Sequence, residues 1–258
     1  MQELFDLSGK QALVTGGAQG LGRMIAEGLL SAGAAVAITS RKAEVAQASA
    51  AEMAALGQCT AYAADLSTPA AAVDLVRRFA DDTGQCDILV NNAGKTWGGP
   101  IETFPDKAWP DVMAVNVQTP FTMVRELLPL LRAGAKPDDP ARIINIGSVA
   151  GAKVERIGAY SYSSSKAAIH MLTRDLAAEL AASHITVNAV IPGYFPTKMT
   201  SHLRDGDDVD PAMLARIPLG RLGRPSDIAA LIVFLASTGG SYVTGSEIAV
   251  DGGLLGCG

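Results

Sequence analysis

Short aliphatic runs recur along the chain, each followed by a longer alanine-rich stretch of helical character. The runs fall at 11–15, 35–39, 60–63, 88–91, 142–146, 186–191 and 248–250. They are apolar at nearly every position, as strands buried on both faces are. The intervening stretches, about 21–32, 42–56, 68–83, 106–132, 159–182 and 225–237, are long enough for helices. Strand and helix in alternation predict a parallel sheet with right-handed crossovers. The expected fold class is α/β: a doubly wound parallel sheet of about seven strands, helices on both faces. Residues 1–258 read as a single domain, without internal repeat, low-complexity tract or linker.

Composition narrows the picture. The chain is 48% hydrophobic but only 5% aromatic, so its core is aliphatic and alanine-packed. Its net charge of −5 argues against a nucleic-acid partner, whose phosphates need a basic stripe. No apolar run approaches the roughly 18 residues of a spanning helix, so no membrane insertion is expected. The first residues, Met1 to Asp6, lack the basic and apolar regions of a secretory signal. Cys59, Cys86 and Cys257 are odd in number and lack metal-ligand spacing, and His170, His184 and His202 form no ligand set. Reduced thiols, a cytoplasmic location and no metal are expected. His184, just beyond a helix, reads as a turn residue.

The chemistry-bearing positions lie at strand ends. The first strand runs into Thr15-Gly16-Gly17-Ala18-Gln19-Gly20-Leu21-Gly22, followed by a helix. Such a turn lets a pyrophosphate approach the backbone, and the helix N-terminus offers unpaired N–H groups. The second strand ends at Thr39-Ser40-Arg41-Lys42. No acid is present there to hold a ribose 2′-hydroxyl, whereas the Arg41 guanidinium suits a 2′-phosphate. NADP(H) is therefore the expected cofactor. Asp65, before Leu66, is placed either to accept from an adenine amino group or to cap the helix that starts near Thr68. Asn91-Asn92-Ala93-Gly94 supplies small residues where a cofactor would cross the sheet, or simply a polar turn.

In the stretch 160–183, Tyr162 and Lys166 are four apart and share a helix face. An ammonium nearby lowers a phenol's pKa, making the pair a candidate proton donor and acceptor. The other tyrosine, Tyr160, has Ser164 four residues on and no such partner. Ser148, just past the fifth strand, could bond a substrate oxygen.

Thr15–Gly22, Asn91–Gly94, Ser148 and Tyr162-x-x-x-Lys166, in this order and spacing, resemble the short-chain dehydrogenase/reductase family. Val115-Asn116-Val117, Pro192-Gly193, Tyr242-Val243-Thr244-Gly245 and Val250-Asp251-Gly252-Gly253 fit the same pattern, so the resemblance spans nearly the whole chain. It implies a Rossmann fold and an oxidoreductase interconverting a small-molecule ketone and a secondary alcohol. Tyr162 is implied as the general acid, and Lys166 as the residue that lowers its pKa and bonds the nicotinamide ribose. Ser148 is implied as the substrate-oxygen partner, and Asn116 as holder of a proton-relay water. Gly16, Gln19, Gly20, Leu21, Gly22, Ser40, Arg41, Asp65, Leu66, Asn92, Ala93, Gly94, Pro192, Gly193, Phe195 and Thr197 join Tyr162 and Lys166 as cofactor contacts. A homotetramer built on the fourth and fifth helices and the last strand is also implied.

Residues 194–223 read as a substrate lid insertion. Met199, Leu203, Met213, Leu214 and Ile217 suit an apolar substrate body, and the acidic run 205–210 reads as a mobile tip. The Ser148–Tyr162 interval is one residue longer than in many family members, which suggests an enlarged loop at 152–158. Several stretches resemble family members that act on 3-oxoacyl thioesters, so such a thioester or a related β-keto compound is the expected substrate. Members acting on carrier-protein thioesters tend to be basic where this chain has Asp138-Asp139 and Ser183, which keeps a polyol, sugar acid or other ketone open. A non-catalytic dinucleotide-binding sensor or scaffold is the alternative of a different class, although such chains usually lack the tyrosine or lysine.

Overall fold

The computed structural model describes residues 2–197, 204–205 and 208–257. Seven strands form one all-parallel sheet: β1 (Gln11–Val14), β2 (Ala35–Ser40), β3 (Cys59–Ala63), β4 (Ile88–Asn91), β5 (Ala141–Ile146), β6 (Ile185–Pro192) and β9 (Glu247–Val250). Their order is β3-β2-β1-β4-β5-β6-β9. The order reverses between β1 and β4, where a doubly wound sheet opens its ligand crevice. The expected fold class is borne out.

Alternate strand residues supply two separate cores. On one face Val14, Ile38, Val90, Ile144 and Val190 pack against α1 (Gly20–Ser31), α2 (Ala43–Met53) and α8 (Pro225–Ala236). On the other, Leu13, Ala37, Leu89, Ile143 and Val187 meet α3 (Pro69–Thr83), α5 (Thr119–Gly134) and α6 (Tyr160–Leu180). Each fully buried valine, leucine or isoleucine among them contributes about 2 kcal/mol. Gly28 lets α1 and α8 approach closely: a Cβ there would stand 2.6 Å from that of Ala229.

The stretch 106–132, expected as one helix, is divided. α4 (Ala108–Met113) passes through a single π turn, Ala114–Gln118, before α5 begins. Pro120 has no N–H to give the Asn116 carbonyl four residues back, and the chain widens there instead. α3 starts as its sequence dictates: Thr68 accepts from the Ala71 N–H, and Pro69 occupies the first turn. His184 takes a left-handed conformation (φ 55°) just past α6, the turn role expected of it.

Of the segment read as a lid, 198–203, 206 and 207 lie outside the described residues, Met199 and Leu203 among them. The acidic tip is not wholly irregular: β7 (Arg204–Asp205) and β8 (Asp208–Val209) pair antiparallel, followed by α7 (Pro211–Leu214).

Candidate active site

The glycine-rich loop between β1 and α1 is built by three different demands. Gly16 and Gly20 have positive φ (66° and 55°), which side chains rarely adopt. Gly22 lacks space: a Cβ would lie 2.4 Å from both Asn92 Nδ2 and the Gly16 carbonyl oxygen. Ser49 Oγ donates to the Ala18 carbonyl at 2.7 Å, and Gly16 N–H to Thr39 Oγ1 at 2.9 Å. Extended Gln19 precedes α1 without a side-chain cap, and Leu21 lies in the first turn, so the helix presents its N–H groups to the loop. This cradle, which a Cβ would fill, fits a dinucleotide's phosphates.

Thr15 ties the loop to β4. Its Oγ1 accepts from Asn92 N–H (2.9 Å) and Ala93 N–H (3.0 Å). Asn92 Nδ2 donates back to the Thr15 carbonyl at 2.9 Å. Two basic residues lie near the loop, and their surroundings separate them. Arg23 is held by Glu27 and Glu52 at 2.8 and 2.6 Å. Arg41 is exposed and has no hydrogen bond or ion pair with any described residue, so its fork could hold a phosphate. Ser40 Oγ accepts from Lys42 N–H at 3.4 Å as the chain turns into α2.

Asp65 is exposed and accepts from Ser67 N–H at 3.2 Å. It does not cap α3, because Thr68 already does, so that alternative is withdrawn. Buried Leu66 is fixed by its carbonyl, which accepts from Thr119 Oγ1 at 2.8 Å.

Beyond β5, Ser148 is buried and N-caps a 3-10 turn (Val149–Gly151), its Oγ accepting from Ala150 N–H at 3.2 Å. Its side chain also hydrogen-bonds Tyr162, on the first turn of α6. The tyrosine–lysine geometry corrects one expectation. Lys166 is buried, and its Nζ donates to the Ile146 carbonyl at 2.7 Å, 5.7 Å from the centre of the Tyr162 ring. Burial pushes the Tyr162 phenol up from its ordinary value, and the Ser148 bond offsets this only in part. Burial also brings Lys166 down to about 8. The net lowering expected of the phenol is not found; with Lys166 turned to the Ile146 carbonyl, burial is the largest cause and the net direction is upward. The phenol is protonated at neutral pH, the form a donor needs. Tyr160 packs edge-on to Phe104 at 5.1 Å.

Asn116, in the π turn, spends its amide on protein. Its Oδ1 accepts from Lys95 N–H (2.8 Å), and its Nδ2 donates to the Lys95 carbonyl (2.9 Å) and Ser165 Oγ (2.8 Å). Its side chain thus clamps the chain after Gly94 to the Tyr162 helix. A Gly94 Cβ would stand 3.9 Å from Lys166 Nζ. Past β6, Gly193 crosses Asp251, whose Cα would be 2.7 Å from a Cβ at Gly193. Phe195 is buried with its ring over Gly223, and the Thr197 Cβ stands 3.5 Å from the Cβ position of Gly20, at the glycine loop. Pro192, Gly193, Phe195 and Thr197 thus run from the end of β6 to the glycine loop.

Sequence reasoning missed a buried amide chain that seats α6. Asn91 Nδ2 donates to Asn145 Oδ1, and Asn145 Nδ2 to Thr173 Oγ1, both at 2.9 Å. The signal was an asparagine near the carboxyl end of each of two strands, Asn91 in β4 and Asn145 in β5. It also missed Glu155, whose buried carboxylate takes the Tyr194 hydroxyl at 2.5 Å and Arg216 at 3.0 Å. Val149, Ile191, Ile217 and Leu254 form an apolar wall beside Ser148. Among the described residues no His, Cys, Asp or Glu cluster could hold a metal, and no helix is long and apolar enough to cross a membrane.

A family model described as enoyl-(acyl carrier protein) reductase matches residues 16–255. A Pseudomonas aeruginosa protein, the rhamnolipids biosynthesis 3-oxoacyl-(acyl-carrier-protein) reductase, is 48% identical, the match covering 98% of this chain and 99% of that one. The 2-dehydro-3-deoxy-D-gluconate 5-dehydrogenase of Dickeya dadantii is 40% identical over 97% of each chain. Among solved structures, the Pseudomonas aeruginosa RhlG/NADP active-site complex superposes with a TM-score of 0.95 at 48% identity, covering 99% of this chain and 100% of that one.

Proposed function

Because this chain belongs to the short-chain dehydrogenase/reductase family, we propose that it is an NADP(H)-dependent oxidoreductase interconverting a ketone and a secondary alcohol, with a 3-oxoacyl thioester or related β-keto compound as substrate. The observation that carries this reading is the Tyr162 hydroxyl hydrogen-bonded to Ser148, with Lys166 Nζ 5.7 Å from the centre of its ring, beside the glycine cradle.

The cradle of Gly16, Gln19, Gly20, Leu21 and Gly22 would hold the pyrophosphate, and Ser40 with Arg41 the 2′-phosphate. Asp65 and Leu66 would face the adenine, and Asn92, Ala93 and Gly94 the neighbouring ribose. Pro192, Gly193, Phe195 and Thr197 would face the nicotinamide, with Tyr162 and Lys166 at its ribose. The bound cofactor supplies the hydride. Tyr162 gives its phenolic proton to the carbonyl oxygen, while Ser148 donates to the same oxygen and stabilises its developing charge. Lys166, protonated below about pH 8, favours the phenolate left behind. Asn116 would hold the water that relays protons from Lys166, and its side chain keeps the loop after Gly94 registered on α6.

The apolar wall of Val149, Ile191, Ile217 and Leu254 supports an acyl substrate body. A sugar acid is the second reading. It is favoured by the Dickeya relative and by the Glu155–Arg216 pair near that wall. The segment 194–223 is the proposed lid, with Arg216 and Tyr194 joining it to the 152–158 loop through Glu155.

A panel of 3-oxoacyl thioesters, β-keto esters and sugar acids, run with NADPH and NADH, tests these assignments. The thioesters with NADPH should give the highest kcat/KM. Arg41→Ala should lower kcat/KM for NADPH by about 10–100-fold, as loss of a charge-assisted bond requires, and leave NADH nearly unchanged. Equal use of both cofactors by the wild type would remove the role given to Arg41.

The protein is further proposed to be a cytoplasmic homotetramer, supported by exposed apolar Phe121 on α5, Met171 on α6 and Tyr242 before β9. Sedimentation velocity should report a four-chain species, and a monomer would refute it.

A further inference from the structure

β5 ends at Ile146, and Gly147 N–H makes the last sheet bond, to the Val190 carbonyl at 2.7 Å. The next donor, the N–H of buried Ser148, has left the sheet and would be costly to strand. It points instead to His170 Nε2 at 3.4 Å. His170 is only 3% exposed and stands one turn beyond Lys166 on α6. Two successive turns of that helix thus grip the same strand end: Lys166 Nζ takes the Ile146 carbonyl and His170 Nε2 the Ser148 N–H. The fit is close enough to dictate sequence. A Cβ on Gly147 would lie 2.2 Å from His170 Nε2, so the imidazole requires glycine there.

An acceptor at Nε2 puts the imidazole proton on Nδ1, which faces Glu247 Oε2 of β9 at 3.4 Å. Glu247 is itself paired with Arg174. The charged groups around the ring are therefore Lys166 and Arg174 on its own helix and Glu247 opposite. Burial and the two cations hold His170 down to about 4, so it is neutral wherever the enzyme would work.

We propose that His170 is a positioning residue: held by Glu247, its imidazole accepts the Ser148 N–H and fixes the Ser148 hydroxyl opposite Tyr162. The inference rests on the catalytic reading of Ser148 given above. It differs from a packing role because it acts through one backbone N–H and one side chain, and loss of about 1 Å in such placement is enough to slow catalysis strongly.

His170→Phe keeps a flat ring and removes the acceptor, whereas His170→Gln keeps an amide acceptor. His170→Phe should lower kcat by about 10–100-fold with KM for NADPH unchanged, and His170→Gln should recover part of the loss. In a Ser148→Ala background the same His170→Phe change should cost less than about twofold, because its effect passes through that hydroxyl. Should His170→Phe not fold, Glu247→Gln leaves the ring in place and is carried through the same cycle, with a smaller loss that also vanishes beside Ser148→Ala. Amide hydrogen exchange at Ser148 needs no turnover and should quicken in His170→Phe or, failing that, in Glu247→Gln. An undiminished kcat, an equal loss in the Ser148→Ala background, or unchanged exchange at Ser148 would overturn the proposal. A wild type that reduces no ketone would instead defeat the proposed function, leaving the exchange measurement to decide on His170.

Discussion

Tyr162→Phe is expected to lower kcat for NADPH-dependent ketone reduction by about 10³-fold, the range of a lost general acid, with KM for NADPH within about twofold of wild type. The substitution keeps the ring and removes only the hydroxyl. Ser148 remains to bond the substrate oxygen, so binding should survive while the proton has no donor. Burial raises the phenol above its ordinary value. Reduction should therefore not weaken through deprotonation of Tyr162 anywhere near neutrality, and alcohol oxidation, which needs the phenolate, should gain as pH rises. Steady-state rates in both directions check this, with NADPH fluorescence as the measure of binding. A dinucleotide sensor would instead bind NADPH and turn over nothing, with or without the substitution.

The second large effect concerns Lys166→Met, where activity and stability should move in opposite directions. The loss in kcat is expected at about 10²-fold, since the charge that favours the phenolate disappears. The wild-type reduction rate should hold level up to about pH 8 and decline above it, as Lys166 gives up its proton. The variant should lack that decline. Stability follows the other sign. The folded-state pKa of Lys166 is lowered from 10.5 to about 8, so the unfolded chain binds the proton more tightly. Wild-type stability should therefore rise between about pH 8 and 10.5, and the penalty is fully present below pH 8. Methionine, of similar length and uncharged, escapes that penalty, so its Tm at pH 7 should be higher than wild type despite the lost bond to Ile146. Thermal melts and pH–rate profiles of the two proteins test both signs. A variant that is less stable and equally active would contradict the assignment.

The seven strands were legible because each is a short, continuous aliphatic run, and the order of motifs located the crevice. Boundaries moved by only a few residues: β1 stops at Val14, and β6 starts at Ile185 and ends at Pro192. The long helix over 106–132 was misread because a proline in a helical pattern announces a fault without saying which form it takes. Here Pro120 sits next to a π turn that holds Asn116. The site was legible in identity and less so in electrostatics. Spacing places Tyr162 and Lys166 on one face, but the direction of a pKa depends on burial and on what the ammonium faces, and neither is written locally. The same holds for Arg23 and Arg41. Both are basic residues near the loop, yet Glu27 and Glu52 engage only the first. Pairings across long separations, such as Glu155 with Arg216 or His170 with Ser148, leave almost no trace in one sequence.

The most direct test of the account is a single-turnover measurement at 340 nm, with enzyme in excess over NADPH and a 3-oxoacyl thioester in excess over both. Wild type should oxidise the bound NADPH in one rapid phase. Tyr162→Phe should bind it equally and oxidise it about 10³-fold more slowly. Oxidation at the wild-type rate by Tyr162→Phe would show that the proton reaches the carbonyl oxygen from elsewhere.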